Sequence, residues 1–436
     1  MKPVRVIGGG LAGSEAAWQI ARRGFPVELL EMRPARSTPA HKTPWLAELV
    51  CSNSLKSFQI DRASGVLKEE MRLAGSLIMA CALEASIPGG SSLCVDRLRF
   101  AQGVTAALER EDNIRIVREE VRQIPDDDIL VIATGPLTSD PLAAGLRDLV
   151  GTDSLFFYDA IAPTVEGDTI SLEGVFRQDR YGPPGIGAYL NCPLDRKEYL
   201  ELVDALISLD PVSPRDFENR GHFEACLPVE ELASRGEKTL AFGPLRPVGL
   251  VDPRTGRRPY AVVQLRPENL AGTLYSLVGF QTRLSFGDQE RVLRMIPGLA
   301  NARFERLGTI HRNTYVEAPA ILDTLQRVRA RPGIFLCGQL AGVEGYAESA
   351  ASGLMTGRYV SMILSGVQPQ PPPPTTMTGS ILGRLSQTGP GPFQPVNAQF
   401  GLLPPVEDTG LRREKKRAAL AERAVRDMRA YLDLFP

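Results

Sequence analysis

The 436-residue chain is poor in the residues that build disulfide and metal scaffolds: six cysteines, three histidines and two tryptophans. The cysteines, at 51, 81, 94, 192, 226 and 337, are scattered and form no CxxC. That excludes a disulfide framework and points to free thiols in a reducing compartment, so a cytoplasmic location is expected. Of the histidines (41, 222 and 311) only His222 has a cysteine close in sequence, Cys226. Two candidate ligands do not make a zinc site, and no metal is expected. No apolar run has the length of a bilayer span and no secretory signal opens the chain, so no membrane association is expected. Charge of one sign is lacking too. A net charge of −1 gives no general attraction to nucleic acid, so any such contact needs a local patch. The length exceeds what one core usually serves, and two or three domains are expected.

What is present begins at once. Val4-Arg5-Val6-Ile7 is a β-branched run that leads into Gly8-Gly9-Gly10-Leu11-Ala12-Gly13, a GxGxxG pattern. Helical spacing follows from Ser14 to Arg23, then a turn, a second strand at Val27-Glu28-Leu29-Leu30, and the acidic Glu31. Gly8 permits the tight turn, Gly10 lets backbone approach a pyrophosphate, and Gly13 lets the helix lie close to the strand. The acidic end falls where a carboxylate accepts from ribose hydroxyls. Dinucleotide contacts are therefore expected from Gly8, Gly9, Gly10, Leu11, Ala12, Gly13, Glu31, Met32 and Arg33. Glu15, near the helix start, is open between a cap, a flavin contact and a surface position.

Two later segments favour FAD over NAD. Asp128–Ile132 reads as a buried parallel strand ending in Ala133-Thr134-Gly135, which resembles the second signature of glutathione-reductase-like flavoproteins. Gly333–Gly338 is another strand running into glycine, followed by Gln339, Gly342, Glu344, Gly345 and a small-residue helix from Ala347 to Gly353. In those flavoproteins such a unit holds the ribityl chain and aims a helix N-terminus at the flavin pyrimidine. Thr134, Gly135, Gly338, Gln339, Gly342, Glu344 and Gly345 are thus further cofactor contacts expected here. A NAD-only dehydrogenase would not need this closing unit, and an S-adenosylmethionine enzyme is not supported by it.

The fold class expected is α/β: an FAD-binding Rossmann-like domain of the glutathione-reductase type carrying a mixed α/β insert. Residues 1–180 would be its first segment, 181–310 the insert (substrate) domain, and 311–366 its closing segment. Residues 367–436 would hold a proline-rich connector and a basic C-terminal helix. Within the middle, 155–158 is strand-like, 198–208 has helical spacing, and 260–265 and 273–278 read as paired strands. The prolines at 371–374 stiffen the connector. Arg412, Arg413, Lys415, Lys416 and Arg417 form the clearest basic patch, read either as a solvated helix face or as an RNA contact.

The segment Glu48-Leu49-Val50-Cys51-Ser52-Asn53-Ser54-Leu55 makes the chain recognisable. Together with Gly8–Gly13, 30–34, 38–41, Phe223-Glu224-Ala225-Cys226-Leu227-Pro228, 241–245, 278–282, His311-Arg312-Asn313-Thr314, 338–353 and 397–404, it closely resembles the bacterial folate- and FAD-dependent tRNA (uracil-5-)-methyltransferases. The resemblance spans nearly the whole chain; Gly9 is commonly alanine in that family, and the tail matches more loosely. It implies methylation of C5 of a T-loop uridine in tRNA, with methylenetetrahydrofolate as carbon donor and NADPH or NADH as reductant. FAD would be both methylene carrier and reductant. Uracil C5 is a poor nucleophile until a thiolate adds to C6. Cys226 is assigned that addition and Cys51 general acid/base work beside the flavin, the exchanged assignment standing as the alternative. Asn53 joins the expected cofactor contacts. The polar 52–54 stretch and Glu224 suit a site better than a core, whereas Cys81, Cys94, Cys192 and Cys337 read as small core residues. His41 is open between loop stabilisation and a folate or flavin contact, and His311-Arg312-Asn313 between an RNA or dinucleotide entrance and a salt-bridged structural role. Rival readings are ribosomal RNA methylation by the same chemistry, the longer FAD- and folate-using wobble-uridine modification protein, a plain NAD(P)H:acceptor flavin oxidoreductase, and a non-catalytic RNA-binding flavoprotein. Monomer and homodimer are equally compatible with these residues.

Overall fold

The computed structural model describes residues 1–38, 40–151, 155–160, 162–211, 227–308, 310–388, 393–406 and 412–435, with side chains left out at 155–160, 310–313 and 413. A six-stranded sheet runs in the order Arg327–Val328, Arg331–Leu336, Leu130–Ile132, Val4–Ile7, Val27–Leu30, Ile114–Val117. All its pairings are parallel except that between the first two strands. Parallel strands must be buried on both faces, and the apolar residues of Val4–Ile7, Leu130–Ile132 and Ile334–Leu336 duly sit at 4% exposure or less. Helix Leu11–Ala21 covers one face and is itself covered by the long helix Tyr346–Leu364. These two helices meet backbone to backbone. A Cβ on Gly353 would lie 2.1 Å from the Ala12 carbonyl oxygen, and one on Gly357 2.6 Å from that of Ala16.

A second six-stranded sheet runs Phe176–Arg177, Leu190–Leu194, Ala261–Pro267, Leu274–Leu277, Thr164–Glu166, Phe304–Arg306, antiparallel throughout. Its separate core gathers Val263, Leu265, Leu277 and Phe280 with Tyr199, Leu202 and Leu206 of helix Arg196–Ile207. That helix starts on a capping box, the Asp195 carboxylate accepting from Glu198 N and Glu198 from Asp195 N. The expected pairing of two strands near 260 and 274 appears as Leu265 opposite Leu277. Between the two sheets the chain crosses twice, as Leu155–Ala160 and Ile310–Tyr315, which pair antiparallel with His311 opposite Asp159.

A small three-stranded sheet, Ser54–Ser57, Ser92–Val95 and Ser86–Ile87, had no clear sequence signal. The prolines end in helix Met377–Leu385, which rests on helix Ala63–Leu73, and helix Arg413–Leu434 also packs on Ala63–Leu73. Leu420, Ala424, Met428 and Tyr431 form the buried stripe of that last helix.

Candidate active site

The glycine fingerprint occupies the turn between Val4–Ile7 and helix Leu11–Ala21, and its glycines differ in what surrounds them. A Cβ on Gly13 would stand 1.8 Å from the Gly8 carbonyl oxygen, so only glycine permits this helix to approach the strand. Gly10 has nothing within 4 Å of where a Cβ would be: its backbone faces open space at the helix N-terminus. That cleft is lined by Gly8, Gly10, Glu31, Met32, Arg33, His41 and Thr134, which places the first and second signatures on one cavity. Glu31 is nearly buried, and its Oε2 accepts from Gly9 N at 2.9 Å. Its Oε1 accepts from Arg33 N at 3.0 Å and from Arg33 Nε at 2.9 Å. Burial alone would raise this carboxyl, but the Arg33 guanidinium and those hydrogen bonds more than offset it, and the group is held below the usual range. Arg33 reaches onward to Glu48 at 3.0 Å. His41 Nδ1 lies 2.7 Å from Thr38 Oγ1, which ties the loop together, and the residue also lines the cleft.

Glu15 does not reach the surface. Fully buried, it caps helix Leu77–Glu84, accepting from Ser76 Oγ at 2.7 Å, Ile78 N at 2.9 Å and Leu77 N at 3.2 Å.

Residues 338–345 of the closing unit do not line the cleft at the glycine fingerprint; Gly338 lies against Ala12, where a Cβ would stand 2.7 Å from the Ala12 Cβ. Gly338 opens a 3-10 turn, Gly338–Ala341, and its N–H donates to Ser352 Oγ at 2.9 Å. Gly342 and Glu344 follow, tied to the segment after the prolines by Glu344 N to Val396 O and Val396 N to Gly342 O. Gly345 precedes helix Tyr346–Leu364, whose buried Glu348 accepts from Lys56 Nζ at 2.9 Å and Ala398 N at 3.1 Å. Burial, and Glu348 beside it, raise the Glu344 carboxyl, while Lys56 works the other way.

Cys51 lies on the loop between the first βαβ unit and Ser54–Ser57, half-buried. The stretch is bracketed by two non-glycine residues in the left-handed region, Ala47 at φ 52° and Lys56 at φ 64°. Such residues cost about 1–3 kcal/mol each and persist where surrounding contacts over-determine them. The contacts are present. Tyr346 Oη accepts from Cys51 N at 2.9 Å and Ser52 N at 3.1 Å. Arg97 donates to Leu49 O at 2.9 Å and Cys51 O at 3.0 Å, and Arg306 to Val50 O at 3.3 Å. Arg266 donates to Ser52 Oγ at 2.9 Å. The Asn53 side chain donates to Val95 O at 3.1 Å and Pro267 O at 2.9 Å, so its amide ties the small sheet to the second one. Three guanidiniums thus surround the Cys51 loop, and Glu268 pairs with Arg97.

The other described cysteines are sealed in. Burial pushes Cys81 up to about 11 and Cys192 and Cys337 up to about 12, and raises Cys94 as well. Cys226, with His222 and Glu224, lies outside the described residues. The chain resumes at Leu227, and Val229 N donates to Gln281 O beside the core of the second sheet. The side chains of His311, Arg312 and Asn313 are likewise not described. Of the basic run, Arg412, Lys415 and Lys416 are exposed and Arg417 half-buried. Arg97, Arg266 and Arg306 escaped sequence reading: they come from three distant segments, and no local pattern joins them.

A parallel sheet with a glycine turn at its centre, a closing strand–turn–helix and a separate antiparallel body defines a two-domain flavoprotein of the dinucleotide-fold type. A family model, Glucose inhibited division protein A (GIDA), matches residues 3–368. The chain is 52% identical over 430 residues to the methylenetetrahydrofolate--tRNA-(uracil-5-)-methyltransferase TrmFO of Desulforudis audaxviator, covering 98% of each. It is 52% identical over 429 residues to the protein of that name from Geobacter sulfurreducens, again covering 98% of each. Among solved structures, GidA of Aquifex aeolicus superposes with TM-score 0.71 at 17% identity, covering 98% of this chain and 75% of that one. The chain belongs to the GidA family, among its methylenetetrahydrofolate--tRNA-(uracil-5-)-methyltransferases.

Proposed function

We propose that this chain methylates C5 of a T-loop uridine in tRNA with methylenetetrahydrofolate as carbon donor, FAD as its flavin, NADPH or NADH as reductant, and the cytoplasm as its location. The reading is carried by identity of about half the residues over nearly the whole length to proteins named for that reaction. The cleft supports the flavin part: an open glycine backbone at a helix N-terminus, a carboxylate beside it, and Thr134 across from it suit an ADP moiety. Gly8–Gly13, Glu31, Met32, Arg33, Thr134 and Gly135 would hold the ADP half, and Gly338, Gln339, Gly342, Glu344 and Gly345 the flavin half. When bound, reduced FAD supplies the hydride and carries the one-carbon unit.

The residues of the chain then have separable tasks. Cys226, as thiolate, adds to uracil C6, which turns C5 into an enolate-like nucleophile. Cys51 takes the C5 proton after carbon transfer, so that the Cys226–C6 bond can break and expel the thiolate. Arg97 and Arg306 donate to carbonyls of the loop that carries Cys51, an arrangement that brings positive charge to the neighbourhood of a thiol which must give up and hold a proton. Asn53 is proposed to act through the loop, since its amide hydrogens are spent on Val95 O and Pro267 O. The substrate body is proposed to be the second sheet with its helices. Because Thr164–Glu166 and Phe176–Arg177 pair within that sheet, its first boundary is better placed before residue 164 than at 181. Arg412, Arg413, Lys415, Lys416 and Arg417 are proposed to meet RNA phosphates.

The test is product analysis. Holoenzyme with methylenetetrahydrofolate and NADPH is given unmodified tRNA, and 5-methyluridine is measured beside Cys51→Ala and Cys226→Ala. Product from the parent protein and from neither variant supports the reading. NADPH oxidation with tRNA left unmethylated would remove it in favour of ribosomal RNA or a plain reductase.

A further inference from the structure

We infer that Arg97, held in place by Glu268, positions Cys51 for its proton transfer together with Tyr346, and that through the Arg97–Glu268 pair the second sheet sets the geometry of a thiol carried by the flavin-binding body. The inference rests on the role proposed for Cys51.

Arg97 is the first residue of helix Arg97–Glu109. A cation there opposes the helix dipole, and the N-terminus is already served by the Asp96 carboxylate, which accepts from Leu98 N and Arg99 N. Nothing in helix stability asks for an arginine at this position. Its guanidinium instead turns away to the loop, with Nη1 on Leu49 O and Nη2 on Cys51 O, while Nε meets the Glu268 carboxylate. Glu268 follows directly on strand Ala261–Pro267 of the second sheet and is 6% exposed. Arg97 holds that carboxyl below the usual range although burial works against it.

The planar fork of arginine lets one side chain fix two carbonyls and one carboxylate together, which a lysine ammonium cannot do with the same orientation. Tyr346 holds the N–H groups of Cys51 and Ser52 from the other side. Leu49 O, Cys51 O and Cys51 N are therefore all pinned, and the direction of the Cys51 Cα–Cβ bond is set by Arg97 and Tyr346 jointly. Loss of Arg97 frees the carbonyl side and leaves the buried Glu268 carboxylate to Ser276 and the charge of Arg266, without its ion pair.

Arg97→Lys and Glu268→Gln holoenzymes, the Arg97→Lys/Glu268→Gln double variant and Cys51→Ala are compared with the parent. Expected is a kcat for tRNA methylation lowered about tenfold or more in each single variant, because a misplaced acid/base group costs that order. KM for tRNA, bound FAD and the rate of flavin reduction by NADPH stay within about twofold, and the double variant is no slower than the worse single one. Should Arg97→Lys fold poorly, Glu268→Gln, which keeps shape and removes only charge, carries the same comparison. An unchanged kcat in the single variants with Cys51→Ala inactive would overturn the inference while leaving the role of Cys51 intact. A kcat loss matched by lost FAD or slowed flavin reduction would make the pair a structural tie and overturn it too. Full methylation by Cys51→Ala would remove the role of Cys51 itself.

Discussion

Glu70 accepts three hydrogen bonds from a segment some three hundred residues further along: Oε1 from Met377 N, and Oε2 from Thr378 N and Thr378 Oγ1, each at 2.7 Å. The carboxylate caps helix Met377–Leu385 from outside and anchors the chain just after the prolines. Glu70 is wholly buried, and burial pushes it up to about 7 against those three bonds. A carboxyl raised on folding is protonated in the folded state over a window where the unfolded chain is ionised. Stability from this group therefore falls as pH rises from about 4.5 towards 7, by an order of about 3 kcal/mol in all. Urea unfolding of the parent and Glu70→Gln between pH 5 and 8 checks this: their difference should change with pH in that direction. A pH-independent difference would contradict it.

Gly10 and Gly13, three residues apart, are expected to fail in opposite ways. Gly13→Ala places a methyl group 1.8 Å from a backbone oxygen and should destabilise the apoprotein by about 1–3 kcal/mol or more. Gly10→Ala meets no protein atom, so the apoprotein should melt as the parent does. Its FAD affinity should drop about tenfold or more, because the methyl occupies the path of the pyrophosphate. Apoprotein melting and flavin titration separate the two.

Lys56→Ala should destabilise by about 1–3 kcal/mol, less than a fully buried pair would, since Lys56 is half exposed. It removes the ion-pair partner of Glu348 and leaves that buried carboxylate the hydrogen bond from Ala398 N and the more distant charge of Lys68. Adding Glu348→Gln should recover most of the loss. Failure of the second substitution to rescue the first would mean that the left-handed backbone at Lys56, rather than the ion pair, carries the effect.

Lys415→Ala/Lys416→Ala alters exposed residues and should leave melting unchanged. If these lysines meet phosphates, the plot of log affinity for tRNA against log salt flattens by about 1–2. An unaltered slope would make the run a solvated helix face.

The parts of the molecule legible in the sequence are those whose chemistry is local. The fingerprint, the strand before Thr134 and the strand–turn–helix at Gly338 each announce themselves within a dozen residues, because a backbone that approaches a ligand restricts its own neighbours. The strand pair near 265 and 277 was readable for a similar reason: alternation and a short turn lie side by side. The Cys51 cradle was not. Nothing in the residues around Arg97 or Arg306 marks them, and the fold brings them to carbonyls some fifty and more than two hundred and fifty positions away. Asn53 was read as a cofactor contact, yet its amide is committed to two carbonyls, a use that depends on where Pro267 comes to lie.

The contact of Gly353 and Gly357 with Ala12 and Ala16 has a consequence in time. The helix that bears the dinucleotide fingerprint is among the first segments to leave the ribosome, yet one of its faces is covered by residues 346–364. More than four-fifths of the chain must be synthesised before that helix can dock. Until then the first βαβ unit is a half-built core with the Ala12 and Ala16 face of its helix uncovered. A chain released before the closing helix would carry an intact fingerprint and still lack the support that holds it against the cofactor.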